Sequence, residues 1–342
     1  MQHILNQGDL LDQNGRLHQA GYSTELVKKY DRTAIKAGKS RIKEWDYYLI
    51  YNDDFGVALT VDDNSYMGMI SASFLDFRTP CERTKSTMFW FPMGKLNFPP
   101  SSKYGAVEKS LNGCMGSFTH EDDKRHLVLY MENFEDKTPF YCELWLEDEP
   151  RDSMVIATPF ANKATAFYYN QKIIAMRASG HAEYRGKTYE FDKDNSFGLL
   201  DWGRGVWTYS NTWYWGAAQG EQDGHRIGFN IGYGFGDTSA ASENMFFLDG
   251  IAHKLEGVDF GIPQKNGRDD YMSPWNMTST DGRFTMTFTP ILDRHSDTNA
   301  LFICSKQHQV FGSFNGTVML DDGTVLTVDN LRGFAEKVKN RW

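Results

Sequence analysis

Residues 226–236, RIGFNIGYGFG, alternate with a strict period of two. Ile227, Phe229, Ile231, Tyr233 and Phe235 fall on one face. Arg226, Gly228, Asn230, Gly232, Gly234 and Gly236 fall on the other. That period is a β-strand, whose successive side chains leave opposite faces. Nearly bare backbone on the second face lets something bulky approach closely. The closely spaced glycines do not have dinucleotide-binding spacing, and a strand is not a strand-to-helix turn.

The same period recurs along the chain. Residues 45–61 read as two strands around a turn at 52–56, and 65–77 continue in that style. Leu127, Leu129 and Met131 alternate in 126–134. In 140–147, Tyr141, Glu143 and Trp145 share one face, and Cys142, Leu144 and Leu146 the other, so the two segments form a strand pair. Segments 167–178 and 180–191 follow, the latter bent at Arg185-Gly186. Asp249-Gly250 and Asp322-Gly323 lie between apolar strands and read as hairpins, and Asp281-Gly282 leads into the alternating Phe284, Met286 and Phe288. Residues 1–40 read as irregular, with a turn at Asn14-Gly15 and a short charged helix over 24–37. Residues 79–125 read as a long loop or edge segment, because three prolines in 88–105 restrict ladder pairing.

Helical periodicity is scarce, and 15 % aromatic residues with 31 glycines suit strands and tight turns. The fold class is therefore all-β, as sandwiches or closed barrels. A chain of 342 residues has room for two domains, and strand patterning lies on both sides of residue 195. The expected division is 1–195 and 196–342.

At that division the sequence reads LLDWGRGVWTYSNTWYWGAAQG, over residues 199–220. It holds Trp202, Trp207, Trp213 and Trp215, with Asp201, Arg204, Tyr209 and Tyr214 among them. Asp201 and Arg204 form either a salt bridge that fixes the segment or a functional pair. In the functional case Asp201 is a proton donor among aromatic neighbours, and Arg204 orients it or binds a polar ligand group. If the pair forms, Asp201 is an ionised anchor or base, and Glu243 is the better proton donor; if Arg204 points elsewhere, the roles reverse. Trp207 with Tyr209, and Trp213 with Trp215, share faces at a spacing of two. They either fill the core or line an aromatic cavity that suits an apolar ligand and shelters a carbocation. Glu243-Asn244, Asn230 and Asn276 are further candidates, or else ordinary turn polarity. Asp201, Arg204, Trp213 and Asn244 are expected in one pocket.

The remaining classes find little support. A net charge of −9 argues against a nucleic-acid partner. No apolar run of membrane-spanning length occurs, so no integral membrane segment is expected. No secretory signal is read at the N-terminus, and Cys81, Cys114, Cys142 and Cys304 are scattered, as free thiols in a reducing cytoplasm would be. There is no His-Glu-x-x-His, no closely spaced His/Cys quartet, no phosphate loop and no Gly-x-Ser-x-Gly elbow. No metal and no cofactor is expected.

The block Asp-Trp-Gly-Arg-Gly-x-Trp-x-Tyr-x-x-x-Trp at 201–213 resembles the signature of the domain of unknown function 2804 family, found mainly in bacteria. Further blocks match in order: RIKEWDYY at 41–48, FYYNQK at 167–172, NIGYGFGD at 230–237, Glu243-Asn244 and FGSFNG at 311–316. The resemblance implies a two-domain plan similar to the lipocalin-like proteins, a group that includes carotenoid hydratase and tocopherol cyclase. It implies no activity and transfers no catalytic residue. The expected fold is two lipocalin-like antiparallel barrels, or strongly curved sheets, packed side by side. The expected partner is an apolar small molecule such as a terpenoid, polyketide or acyl chain. The chain either binds it or acts on it as a cofactor-free hydratase, cyclase or isomerase. Carbohydrate recognition is a third reading, since aromatic platforms with Asp, Glu, Asn and Arg also suit sugars.

Overall fold

The computed structural model describes residues 2–300 and 303–341. Among them there is no α-helix, only strands and two short 3-10 turns. The period-two segments form two large antiparallel sheets.

The first sheet has 13 strands and curls into a nearly closed barrel. Its order runs from the edge strand Cys81–Trp90 through Met67–Asp76, Phe55–Asp63, Ile42–Tyr51, Phe197–Val206 and Lys163–Tyr184. It continues through Thr138–Glu147, Lys124–Glu135 and Cys114–Glu121 to Gly105–Leu111. The two ends approach each other, with Lys109 Nζ 5.0 Å from the Phe89 ring centroid. The second sheet has nine strands and forms a half-barrel. Its centre is Ser210–Gln222, Val325–Arg341, Ile303–Met319 and Phe284–Ala300. The strand carrying Asp201 pairs within the first sheet, and the chain crosses to the second at 207–209.

Hydrogen bonds and rings join the sheets. A bulge places Ala175 at a φ of 64°, which turns its N–H out of the ladder to donate to Gln219 Oε1 at 2.7 Å. Tyr51 accepts from Gln219 N at 3.1 Å and donates to Arg332 O at 2.9 Å. The apolar core of the first sheet runs on into Trp215, Phe247, Phe311 and Phe334 of the second, which also has a core of its own around Phe229, Trp275 and Phe314.

Two expectations are corrected. The charged helix over 24–37 does not form. Lys28–Lys29 pairs with Gly8–Asp9, and Arg32–Ala34 is a single 3-10 turn capped by Asp31. Lys28 and Tyr30 are both buried, a period of two, and Tyr30 donates to Glu44 Oε1 at 2.8 Å. Of the two readings of 79–125, a long loop or an edge segment, the long loop does not form and the edge reading holds for two of its strands. Its prolines stand outside the strands, Pro80 in the turn before Cys81–Trp90 and Pro92, Pro99 and Pro100 in 91–104, and strands flank that segment on both sides. The irregular part is pinned by Phe91 N to Tyr66 O at 3.0 Å and by Gly94 N to Asp63 Oδ2 at 2.7 Å. The strands on either side of it, Cys81–Trp90 and Gly105–Leu111, are the sheet's two edges.

Candidate functional site at the seam between the sheets

Asp201 and Arg204 share the strand Phe197–Val206, and a separation of three sends their side chains to opposite faces. Arg204 lies across from Tyr169 and Glu44, on the face that looks into the first barrel. Its Nη1 donates to Asp46 Oδ1 at 3.0 Å and to Trp45 O at 2.8 Å, and its Nη2 donates to Pro99 O at 3.1 Å. The guanidinium lies 4.2 Å from the Trp202 ring and 4.8 Å from Phe98. Burial pushes the Asp46 carboxyl up, and Arg204 opposes it. Nearby, Arg125 donates to Ser102 O at 2.8 Å and to Glu149 Oε2 at 2.6 Å. Arg204 therefore anchors the 91–104 segment inside the first barrel.

Asp201 lies across from Lys172 and Tyr47, on the face that meets the second sheet. Its Oδ1 accepts from Lys172 Nζ at 2.8 Å and from Asn170 Nδ2 at 2.6 Å. Lys172 Nζ also stands 3.9 Å from the Trp215 ring centroid. Trp215 Nε1 donates to Asn230 Oδ1 at 2.7 Å, and Asn230 Nδ2 donates to Glu243 O at 2.8 Å. On the facing side, Trp215, Glu336, Gln309 and Arg294 form one cross-strand row. Trp213 Nε1 donates to Glu336 Oε1 at 2.9 Å.

Burial pushes the Glu336 carboxyl up to about 7, against the Trp213 N–H, Lys172 and Arg294, while Asp201 reinforces the rise. Burial likewise raises Glu243; Lys172 opposes the rise and Asp201 adds to it. Asp201, Lys172, Glu243 and Glu336 thus act on one another as a single electrostatic cluster. Asp201 and Glu243 keep 8 % and 7 % of their surface exposed, so the cluster reaches solvent at its margin.

Aromatic rings wall one side. Trp45 stacks on Tyr168 at 6.1 Å, and Trp207 meets Trp45 edge-on at 5.2 Å and Trp213 at 6.0 Å. Phe235 packs against Tyr168, Trp207 and Trp213. Gly203 permits this wall, since a Cβ there would lie 1.9 Å from Trp45 Cζ2. The bare face of 226–236 is explained in the same way. A Cβ on Gly232 would lie 2.6 Å from Glu243 Oε1, and one on Gly228 would lie 2.6 Å from Ile174 Cγ2 in the first sheet.

The seam therefore brings together Asp201, Glu243, Trp207, Trp213, Trp215 and Asn230. Arg204 is turned away from it. Asn244 sits behind Glu243, where its Oδ1 accepts from Gly232 N at 2.6 Å and its Nδ2 donates to Glu256 O at 2.7 Å. Tyr209 is exposed at the crossover, and Asn276 is exposed beside Thr287 on the second sheet's outer strands. Lys172, Asn170 and Glu336 were not picked out from the sequence. Their signal was polar residues placed directly after aromatic or apolar ones within a strand, as in FYYNQK and GFAEKV.

Two surface depressions, of about 600 Å³ around Asp269 and Tyr271 and about 410 Å³ around Tyr51 and Arg332, lie elsewhere; Asp201, Glu243 and Glu336 line neither. Among the described residues no group of three or more His, Cys, Asp or Glu side chains could hold a metal ion, and no helix is long and apolar enough to cross a membrane.

The family described as domain of unknown function DUF2804 matches residues 1–342, and the chain belongs to it. No curated protein matches. The crystal structure of a Nitrosomonas europaea protein assigned as AttH superposes with a TM-score of 0.54 at 13 % identity, over 92 % of this chain and 97 % of that one. Kievitone hydratase from Nectria haematococca gives a TM-score of 0.46 at 13 % identity, over 94 % of this chain and 97 % of that one. At such identity the first likeness is one of fold, and the second carries no argument.

Proposed function

We propose, taking membership of the DUF2804 family as the premise, that the seam binds a small, mainly apolar, unsaturated molecule and protonates it, as a cofactor-independent hydratase, cyclase or isomerase does. The observation that carries this reading is Glu336. A carboxyl whose pKa is pushed up to about 7 is part-protonated at neutral pH, and an acid with a pKa near the working pH is the efficient proton donor. Its neighbours suit the next step. Protonating a carbon–carbon double bond leaves a carbocation, which indole faces and carboxylates stabilise. The Trp215 face already takes a cation, the Lys172 ammonium. Water, or a hydroxyl of the substrate, then adds to the cation, and its proton returns to a carboxylate of the cluster. The Lys172–Asp201 pair holds the charge balance around Glu336, and Glu243 is a second raised carboxyl within the same cluster.

Methyl farnesoate tests both halves. It is expected to quench tryptophan fluorescence saturably, and Trp213→Phe should weaken that binding. In heavy water the protein should place deuterium on olefinic carbon, and Glu336→Gln should abolish this while binding persists. Binding with no deuterium incorporation for this ester, farnesol or other isoprenoid alkenes would leave a binding protein. No saturable quenching by any of them would remove the seam reading altogether.

A further inference from the structure

Arg294 stands at the outer end of the row that carries Glu336. It is directly across from Gln309, which is directly across from Glu336. Its Nη1 donates to Gln309 Oε1 at 2.7 Å and its Nε to Thr84 Oγ1 at 3.3 Å. Both partners are neutral. Among the described residues no carboxylate lies within 4.0 Å of it, and its Nη2 donates to no protein group. Gln309 in turn donates from Nε2 to Tyr47 OH at 3.4 Å, so the row touches the first sheet at Tyr47 and at Thr84.

An arginine held by neutral acceptors keeps its full charge for a ligand. Its planar fork matches a carboxylate with two parallel hydrogen bonds. Arg294 is half-buried and Glu336 buried, so the charged end of the row faces outward and the acid lies deeper. Neighbouring strands are about 4.8 Å apart, which places the Arg294 strand roughly 10 Å from the Glu336 strand. Between them the ligand would pass Gln309 and Tyr47, then reach Trp215 and Trp213.

We propose that Arg294 is the anion-recognising end of the seam, so that its ligand is an apolar chain carrying a carboxylate; this rests on the seam reading above. The charge arrangement supports it. Arg294 is one of the groups that oppose protonation of Glu336. A bound carboxylate cancels that opposition, so an anionic ligand favours the acid form of the residue that is to protonate it.

The test compares farnesoic acid with methyl farnesoate on the full chain, by tryptophan quenching. Wild type is expected to bind the acid at least about tenfold more tightly, a difference of about 1.4 kcal/mol. Arg294→Gln should lose that preference and still bind the ester, and Arg294→Lys should keep part of it. Trp213→Phe should weaken both ligands. Equal affinity for acid and ester in wild type, or a preference that survives in Arg294→Gln, overturns the inference and leaves the seam reading standing. Failure of both ligands to bind, or binding indifferent to Trp213→Phe, overturns the seam reading and the inference with it. If Arg294→Gln does not fold, salt decides: a wild-type preference that shrinks as KCl rises supports the anion site, and one that does not overturns it.

Discussion

Asp201 and Arg204, three residues apart on one strand, do not pair with each other: Asp201 is bound by Lys172 at 2.8 Å in the seam, and Arg204 by Asp46 at 3.0 Å inside the first barrel. One short sequence block therefore serves two sites through its two faces. The conditional assignment of roles then turns on Lys172 and not on Arg204. An ammonium in contact clamps Asp201, and the carboxyls raised by burial are Glu336 and Glu243, which is why the proposed reaction takes its proton from them.

Arg204→Met should be a folding mutation. It leaves the Asp46 carboxyl buried without its cation and strips a donor from Pro99 O. Breaking a buried pair from one side costs about 3–5 kcal/mol. Urea unfolding should register that loss, while the folded fraction binds seam ligands as wild type does. Wild-type stability in the variant would contradict the anchor role.

Gly203→Ala tests the aromatic wall. The new Cβ would fall 1.9 Å from Trp45 Cζ2, so the indole must leave its stack on Tyr168. Overpacking of this kind costs about 1–3 kcal/mol. Near-ultraviolet circular dichroism should change together with the melting temperature. A variant with neither change would mean that the Trp45 ring is not fixed where it lies.

Much of the fold was legible because a period of two leaves little choice. The hairpins at Asp249-Gly250 and Asp322-Gly323 and the pairing of 126–134 with 140–147 follow from alternation and turn residues alone. The seam was legible only in part. Trp213 and Trp215 stood out in a stretch dense in tryptophan, Asn230 on the glycine face of its strand, and Glu243 after a serine- and alanine-rich loop. Their partner Lys172 comes from the first sheet and Glu336 from the last strand, separations that no local pattern encodes. Arg204 misled because three positions is near in sequence but is the opposite face of a strand.

Lys172→Met should expose the coupling within the cluster. Lys172 opposes protonation of both Glu243 and Glu336, so its loss drives both further upward. It also leaves Asp201 with only Asn170 as donor, at a cost of about 3–5 kcal/mol. Adding Asp201→Asn should recover part of that loss, because the stranded charge is gone. A double-mutant cycle by urea unfolding is expected to give a coupling of at least about 1 kcal/mol. Strictly additive losses would mean that the pair does not act as a unit.

Glu336→Gln carries the clearest pH signature. The folded carboxyl holds its proton up to about 7, whereas the same group in the unfolded chain releases it near its ordinary value of 4.5. Below 4.5 both states are protonated, and the group contributes its full stabilisation. As pH rises from 4.5 to 7 the unfolded state binds fewer protons than the folded one, so stability falls; above 7 it levels off. At 1.36 kcal/mol per unit, the loss is on the order of 3 kcal/mol. Gln mimics the protonated acid and keeps an oxygen for the Trp213 N–H, so the variant lacks this slope. Thermal melts from pH 4 to 9 should therefore start nearly together and separate as pH rises, with the variant the more stable above neutrality. Other buried groups, such as Asp62 with its carboxyl also raised to about 7, titrate in both proteins and cancel in the difference. Parallel curves across the whole range would place the Glu336 pKa near its ordinary value and take the proton donor out of the proposed reaction.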